Sequence, residues 1–174
     1  MQDILIVVDM QNDFIDGSLG SIEAQAIVSR VAEKMRDFDG RVINTRDTHD
    51  SAYLSTQEGR NLPVRHCIRG TAGWQLHPLI EAQRREEPVD KPVFGSAALG
   101  QLLAKGNRQD SIRSVTLVGL CTDICVISNA MILRAFLPET EIIVDAACCA
   151  GATPQGHRTA LAAMKACQVR IENG

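Results

Sequence analysis

Short apolar runs rich in branched residues recur along this chain, and their length and spacing constrain its fold more than any other feature. They are ILIVV at 4–8, RVINT at 41–45, SVTLVG at 114–119 and EIIVD at 141–145, with EPVDKP at 87–92 as a weaker fifth. Between them lie stretches with helical spacing: Ile22 to Phe38, roughly Ala97 to Ala104, Ile124 to Phe136, and Pro154 to Cys167. In the first of these, Ile27, Val31, Met35 and Phe38 recur at steps of three and four, as one buried helix face requires. Continuous apolar strands that alternate with helices predict an α/β doubly wound architecture, a mostly parallel sheet with helices on both faces in a Rossmann-like three-layer sandwich. At 174 residues the chain fits a single domain over 1–174.

In such a sheet ligands bind outside the carboxyl ends of the strands, where the strand order reverses. Asp9 follows ILIVV, Asp47 follows RVINTR, Lys91 closes the weak strand, Cys121 and Cys125 follow SVTLVG, and Asp145 closes EIIV. Five strand ends therefore carry polar or reactive groups. The stretch from Asp47 to about His77 lacks clean periodicity but holds three of the four histidines, the only Trp and the only Tyr. A loop this long in a compact domain is usually functional or disordered, and its Trp, Tyr and GTAGW turn argue for order.

A net charge of -3 and a pI near 5.8 give no electrostatic reason for nucleic acid or an anionic membrane to bind. The apolar run near the start is far too short to span a bilayer, and no basic segment or small-residue cleavage site surrounds it. The expectation is a cytoplasmic protein that acts on a small molecule. Six cysteines (Cys67, Cys121, Cys125, Cys148, Cys149, Cys167) fall well below the density of a disulfide scaffold, so reduced, buried thiols are the default.

GLCTDICV at 119–126 places Cys121 and Cys125 around a strand-to-helix junction. Cys125 falls in the first helical turn, where the positive end of the dipole lowers a thiol pKa. Thr122 or Asp123 can cap that turn, and its free N–H groups can hold an oxyanion. Cys121 is better placed to contribute its backbone than its side chain; the plain alternative is that both cysteines are packing. A nucleophilic thiol also needs a base and a cation, and Asp9 and Lys91 emerge at the same sheet edge. Asp47 and His49 flank one residue at a strand end, so both project into one site if the chain stays extended. His66 follows in PVRHCIRGTAG. Carboxylate and imidazole donors suit zinc, iron(II) or manganese.

The blocks VVDMQNDF at 7–14, DTH at 47–49, DKPVFGSA at 90–97 and GLCTDICV at 119–126 resemble the signature blocks of the isochorismatase-like cysteine hydrolases, in order and over nearly the whole chain. The loop makes the chain most similar to the nicotinamidases and pyrazinamidases within that superfamily. The resemblance implies an isochorismatase-like fold with Asp9 as proton acceptor, Lys91 as cation and Cys125 as nucleophile. It also implies a cis peptide between Leu120 and Cys121, which turns the Cys121 N–H toward an oxyanion alongside that of Cys125. It further implies one divalent metal ion, zinc first and iron or manganese as alternatives, on Asp47, His49 and His66. Glu58 stands where some members carry a glutamate ligand, and the histidine that other members place between Asp50 and Arg65 is missing. Phe14 and Trp74 are candidates for the apolar walls around the substrate ring, with core or loop packing as the alternative for each. The implied reaction is hydrolysis of nicotinamide, or a similar small carboxamide, to the acid and ammonia in NAD salvage, by a homo-oligomer.

Two readings compete with this one. Another amidase of the superfamily acts on carbamoyl or ureido compounds, although such relatives generally lack the Asp-x-His block. A thiol redox or metal-binding protein on a flavodoxin-like fold uses Cys121 with Cys125, or adjacent Cys148 and Cys149. The three residues between Cys121 and Cys125 do not match the redox spacing of two. Adjacent cysteines after a strand read as packing.

Overall fold

The computed structural model describes residues 1–174 and contains one six-stranded parallel sheet. Its strands are β1 (Gln2–Val8), β2 (Arg41–Asp47), β3 (Val89–Lys91), β4 (Ile112–Leu120), β5 (Glu141–Ala150) and β6 (Arg170–Glu172), in the order β3-β2-β1-β4-β5-β6. The chain order reverses between β1 and β4, which leaves a crevice at their carboxyl ends. This is the α/β three-layer arrangement that the alternating runs predict.

The helices are α1 (Asn12–Ile15), α2 (Ile22–Asp37), α3 (Gln57–Asn61), α4 (Pro78–Glu81), α5 (Ala97–Asn107), α6 (Ile127–Phe136) and α7 (Pro154–Ala166). None is long and apolar enough to cross a membrane. The sheet's period of two explains why both faces of β1 are apolar. Ile4, Ile6 and Val8 join one core with Leu99 and Leu103 of α5, Leu133 of α6 and Met164 of α7. Leu5 and Val7 join a second core with Ile27, Val28, Val31 and Met35 of α2. Ser21, Ser96 and Thr153 start α2, α5 and α7 by accepting from the N–H groups of Ala24, Leu99 and Gly156.

Several boundaries differ from expectation. The weak fifth strand shrinks to three residues, but these pair in register with β2, so that Lys91 sits opposite Asp47. β6 was not anticipated, because RIE is short and charged and lies at the sheet edge. β5 continues past Asp145 to Ala150 across an irregularity in its register with β4. Asp145 is therefore mid-strand, where it pairs with Lys34 of α2 and accepts from Asn173, away from the crevice. Cys148 and Cys149 are buried in β5, one in each core.

Gly119 sits against β1 with no room for a side chain. Its φ is +110°, and a Cβ there would lie 2.2 Å from the Val8 carbonyl oxygen, one residue before Asp9. Only glycine meets both conditions. Gly119→Ala should therefore lower stability by about 3 kcal/mol, measured by urea denaturation. A variant as stable as the parent would show that β1 and β4 have room to separate here.

Candidate active site

Asp9 leaves β1 in a left-handed conformation, φ +48°, which an aspartate tolerates better than most residues and which is uncommon outside functional sites. Its N–H reaches Thr45 Oγ1 at 3.3 Å, and the Thr45 hydroxyl donates back to Asp9 Oδ1 at 2.6 Å. Lys91 comes from the end of β3. Its ammonium lies 2.6 Å from Asp9 Oδ2, an ion pair by distance although not aligned as a hydrogen bond. It also lies 3.3 Å from Asp47 Oδ1 and 3.4 Å from Cys125 Sγ, and it donates to the Val93 carbonyl at 3.2 Å. Asp9, Lys91 and Cys125 are 0%, 1% and 4% exposed, so the three meet out of water.

That burial sets their protonation. It opposes the charge on Lys91, but Asp9, Cys125 and Asp47 outweigh it and hold the ammonium above the ordinary lysine range. Burial raises the pKa of Asp9, and Lys91 partly offsets this. Burial, then the neighbouring Asp9 charge, pushes the Cys125 thiol well above its ordinary value, with Lys91 pulling the other way. The thiolate expected from the helix dipole is thus not the resting form; desolvation in a dry site outweighs the dipole. Burial thus favours the thiol form of Cys125, with the Asp9 carboxyl group beside it.

Cys125 lies in a π-helical turn, Thr122–Val126, that leads into α6. The peptide between Leu120 and Cys121 is cis. Neither Thr122 nor Asp123 caps the turn, contrary to expectation, because both are inside it. The Thr122 hydroxyl and His157 Nδ1 form a 2.8 Å hydrogen bond, and Asp123 Oδ1 accepts from the Ala152 N–H, which ties the turn to the start of α7. His157 is therefore part of this attachment. Burial pushes the Cys121 thiol up to about 12, Asp123 adding to the effect.

Asp47, His49, Glu58 and His66 converge beside this group, with one donor atom from each within 4.8 Å of the others. His49 Nε2 lies 2.8 Å from Asp47 Oδ2 and 3.5 Å from Glu58 Oε1. His66 Nε2 lies 3.5 and 3.7 Å from the same two oxygens. His66 Nδ1 sits 2.8 Å from the Val64 carbonyl, which can only accept, so Nδ1 carries a proton and Nε2 is the ring nitrogen that faces Asp47 and Glu58. Burial raises the Asp47 pKa, but its hydrogen bonds with the two imidazoles outweigh this and hold it ionised. Two carboxylates and two imidazoles focused on one buried point fit a divalent cation, which would offset the charge they concentrate there. His77 is not in this group and instead caps α4, its Nδ1 accepting from the Leu79 N–H.

One cavity of about 340 Å³ joins the two groups: Cys121 and Cys125 line it, as do Asp47, Glu58 and His66. Phe14, Leu62, Phe94, Leu120 and Ile124 supply apolar wall. Trp74, expected as a ring wall, is not on the lining. Its indole donates to Thr48 Oγ1 at 2.9 Å and lies beneath the Arg46 guanidinium, 3.8 Å from the ring centre. Asp90 orients that guanidinium through an ion pair, a partner that nothing local to the GTAGW turn reveals.

Three side chains that sequence reasoning missed hold the site in place. Gln11 accepts from the Asp47 N–H and donates to the Asp47 and Trp74 carbonyls. Asp13 accepts from the N–H of Cys67, just past His66. Asn129 donates to the carbonyls of Cys125 and Phe94 and accepts from the Ser96 N–H. Gln11 and Asp13 stand in the VVDMQNDF block, whereas the available signal for Asn129 is a polar residue in the apolar run ISNAMILRAF.

The chain matches the family model described as the isochorismatase domain over residues 3–173. It is 33% identical to an uncharacterised isochorismatase family protein, PncA, of Bacillus subtilis, over 92% of this chain and 93% of that protein. The nicotinamidase/pyrazinamidase of Mycobacterium tuberculosis is 28% identical over 96% of each chain. Among solved structures, the pyrazinamidase of Pyrococcus horikoshii in complex with zinc superposes with a TM-score of 0.81 at 28% identity, covering 98% of both chains.

The donor set predicts a measurable stoichiometry. Equilibrium dialysis should load about one zinc ion per chain, and Asp47→Ala should abolish the loading. An unaltered chain that takes up none, or a variant that loads equally, would reject this cluster as the metal site.

Proposed function

Since the chain belongs to the isochorismatase family, we propose that it is a cysteine amidohydrolase that converts nicotinamide, or a similarly small carboxamide, to the acid and ammonia. The observation that carries this reading is the shared cavity: one largely apolar space is lined by Cys125, with Lys91 and Asp9 packed behind it, and by Asp47, Glu58 and His66 of the carboxylate and imidazole cluster. Its volume lies at the low end of the range of about 300–1,000 Å³ usual for small-molecule sites.

In this mechanism Asp9 accepts the Cys125 proton as Sγ attacks the carboxamide carbon, and Lys91 holds the sulfur's developing charge. The N–H groups of Cys121 and Cys125 receive the oxyanion, a contribution that removing one donor typically reduces by about 2.7–4 kcal/mol. The C–N bond breaks as Asp9 returns the proton to the leaving ammonia. Water then hydrolyses the thioester, with Asp9 again taking a proton, and frees the acid and the thiol. Asp47, His49, Glu58 and His66 would hold the divalent ion, whose chemistry is a Lewis-acid anchor for a ring nitrogen. Zinc is the first choice, supported by the zinc complex of the Pyrococcus relative, with iron or manganese as alternatives. Phe14, Leu62 and Phe94 enclose the ring.

The reading places this activity in one domain over 1–174, in the cytoplasm, in NAD salvage. Leu102 on α5 and Phe136, the last residue of α6, are 41% and 37% exposed and support a homo-oligomer. The cluster on the cavity lining favours a ring carboxamide over carbamoyl or ureido compounds. Burial raises the Cys121 and Cys125 thiols alike, which disfavours disulfide exchange between them.

Ammonia release from nicotinamide by the zinc-loaded protein is the direct test. Cys125→Ala should lower turnover by a factor of about 10⁴ or more while circular dichroism stays unchanged. Activity retained in the variant would reject Cys125 as nucleophile, and no release by the parent would reject nicotinamide as the substrate.

A further inference from the structure

Tyr53 lies in the 3₁₀ turn Tyr53–Ser55, four residues past His49, and is 0% exposed in a loop otherwise rich in polar residues. Its ring centre is 4.6 Å from that of His49 and 4.9 Å from that of His66, edge-on to the latter at 77°. The two imidazoles are themselves 4.9 Å apart, so each of the three rings packs against the other two. Neither imidazole can swing toward Tyr53 without striking its ring.

The rest of the residue makes two further attachments. Its carbonyl accepts from the Thr56 N–H at 2.9 Å and from the Thr56 hydroxyl at 2.7 Å, and Thr56 Oγ1 in turn caps α3, which carries Glu58. That helix sits so close that a Cβ on Gly59 would be 2.0 Å from the Tyr53 carbonyl oxygen. The phenol donates to the Leu62 carbonyl at 2.9 Å, and Leu62 is part of the cavity wall. Ring, carbonyl and hydroxyl therefore touch three different parts of the site.

We propose that Tyr53 is the positioning residue that holds the metal-ligating imidazoles through its ring and the substrate-facing wall at Leu62 through its hydroxyl. The inference rests on the metal and substrate reading given above. A group that orients ligands without binding the metal typically alters affinity about 10- to 100-fold when removed. The two functions separate chemically: phenylalanine keeps the ring and loses the hydroxyl, whereas leucine loses both.

The test measures zinc affinity of the substrate-free protein by competition with a chromogenic chelator, and kcat and KM for nicotinamide at saturating zinc. Tyr53→Phe should bind zinc within about threefold of the parent but raise KM roughly 3- to 10-fold with kcat nearly unchanged. Tyr53→Leu should weaken zinc binding about 10- to 100-fold, and Tyr53→Phe supplies the conservative rescue. A folded Tyr53→Leu protein with parental zinc affinity would overturn the ring's role. A Tyr53→Phe protein with parental KM, or one that changes only its melting temperature, would overturn the hydroxyl's role even if the leucine variant does not fold. A parent that binds zinc but releases no ammonia would instead fault the substrate reading and leave the zinc comparison decisive. A parent that binds no zinc, iron or manganese would reject the metal reading and this role together.

Discussion

An ammonium with 1% exposure, set among two carboxylates and a thiol, is the interaction on which the rest of this site depends. Burying such a charge is tolerable only because its partners are already in place. Without Lys91, Asp9 and Asp47 would face each other across the crevice with no cation between them. The three-residue strand β3 serves chiefly to deliver this side chain, and its register with β2 sets Lys91 beside Asp47. The same nitrogen thus lies beside Cys125 and at the edge of the carboxylate and imidazole cluster. The two halves of the site share an electrostatic centre as well as a cavity.

Much of the architecture was legible because it follows from periodicity. β1 reads as a strand buried on both faces, since its alternate residues feed two separate cores. α2 reads as a helix because Ile27, Val31 and Met35 repeat at four-residue steps toward one of those cores. β6 was illegible: three residues with two charges at a sheet edge carry no pattern, and only pairing with Ile143 and its neighbours makes them a strand. Asp145 was misplaced because its charge interrupts the run of branched residues, while the strand continues through small buried residues to Ala150.

The site divides along the same line. Asp9, Asp47, Lys91 and Cys125 were visible because each terminates or follows an apolar run. Trp74 stayed open between ring wall and loop packing because its surroundings come from distant chain: Arg46 on β2 and, through it, Asp90 on β3. Asn129 escaped notice because one polar residue on an apolar helix does not say which carbonyls it will meet. The lowered thiol pKa expected for Cys125 failed for a related reason. Helix position is local and readable, whereas desolvation depends on everything packed around the turn.

The protonated state of Cys125 also bears on how the protein meets oxidants. Peroxides attack thiolates, and burial favours the thiol form of this sulfur at the cavity wall. The exposed Cys167, remote in sequence from the reactive turn, encounters dissolved oxidant first. In the proposed mechanism, keeping the electron pair of Cys125 on a proton until Asp9 takes it gives the resting molecule a chemical durability that a standing thiolate would forfeit.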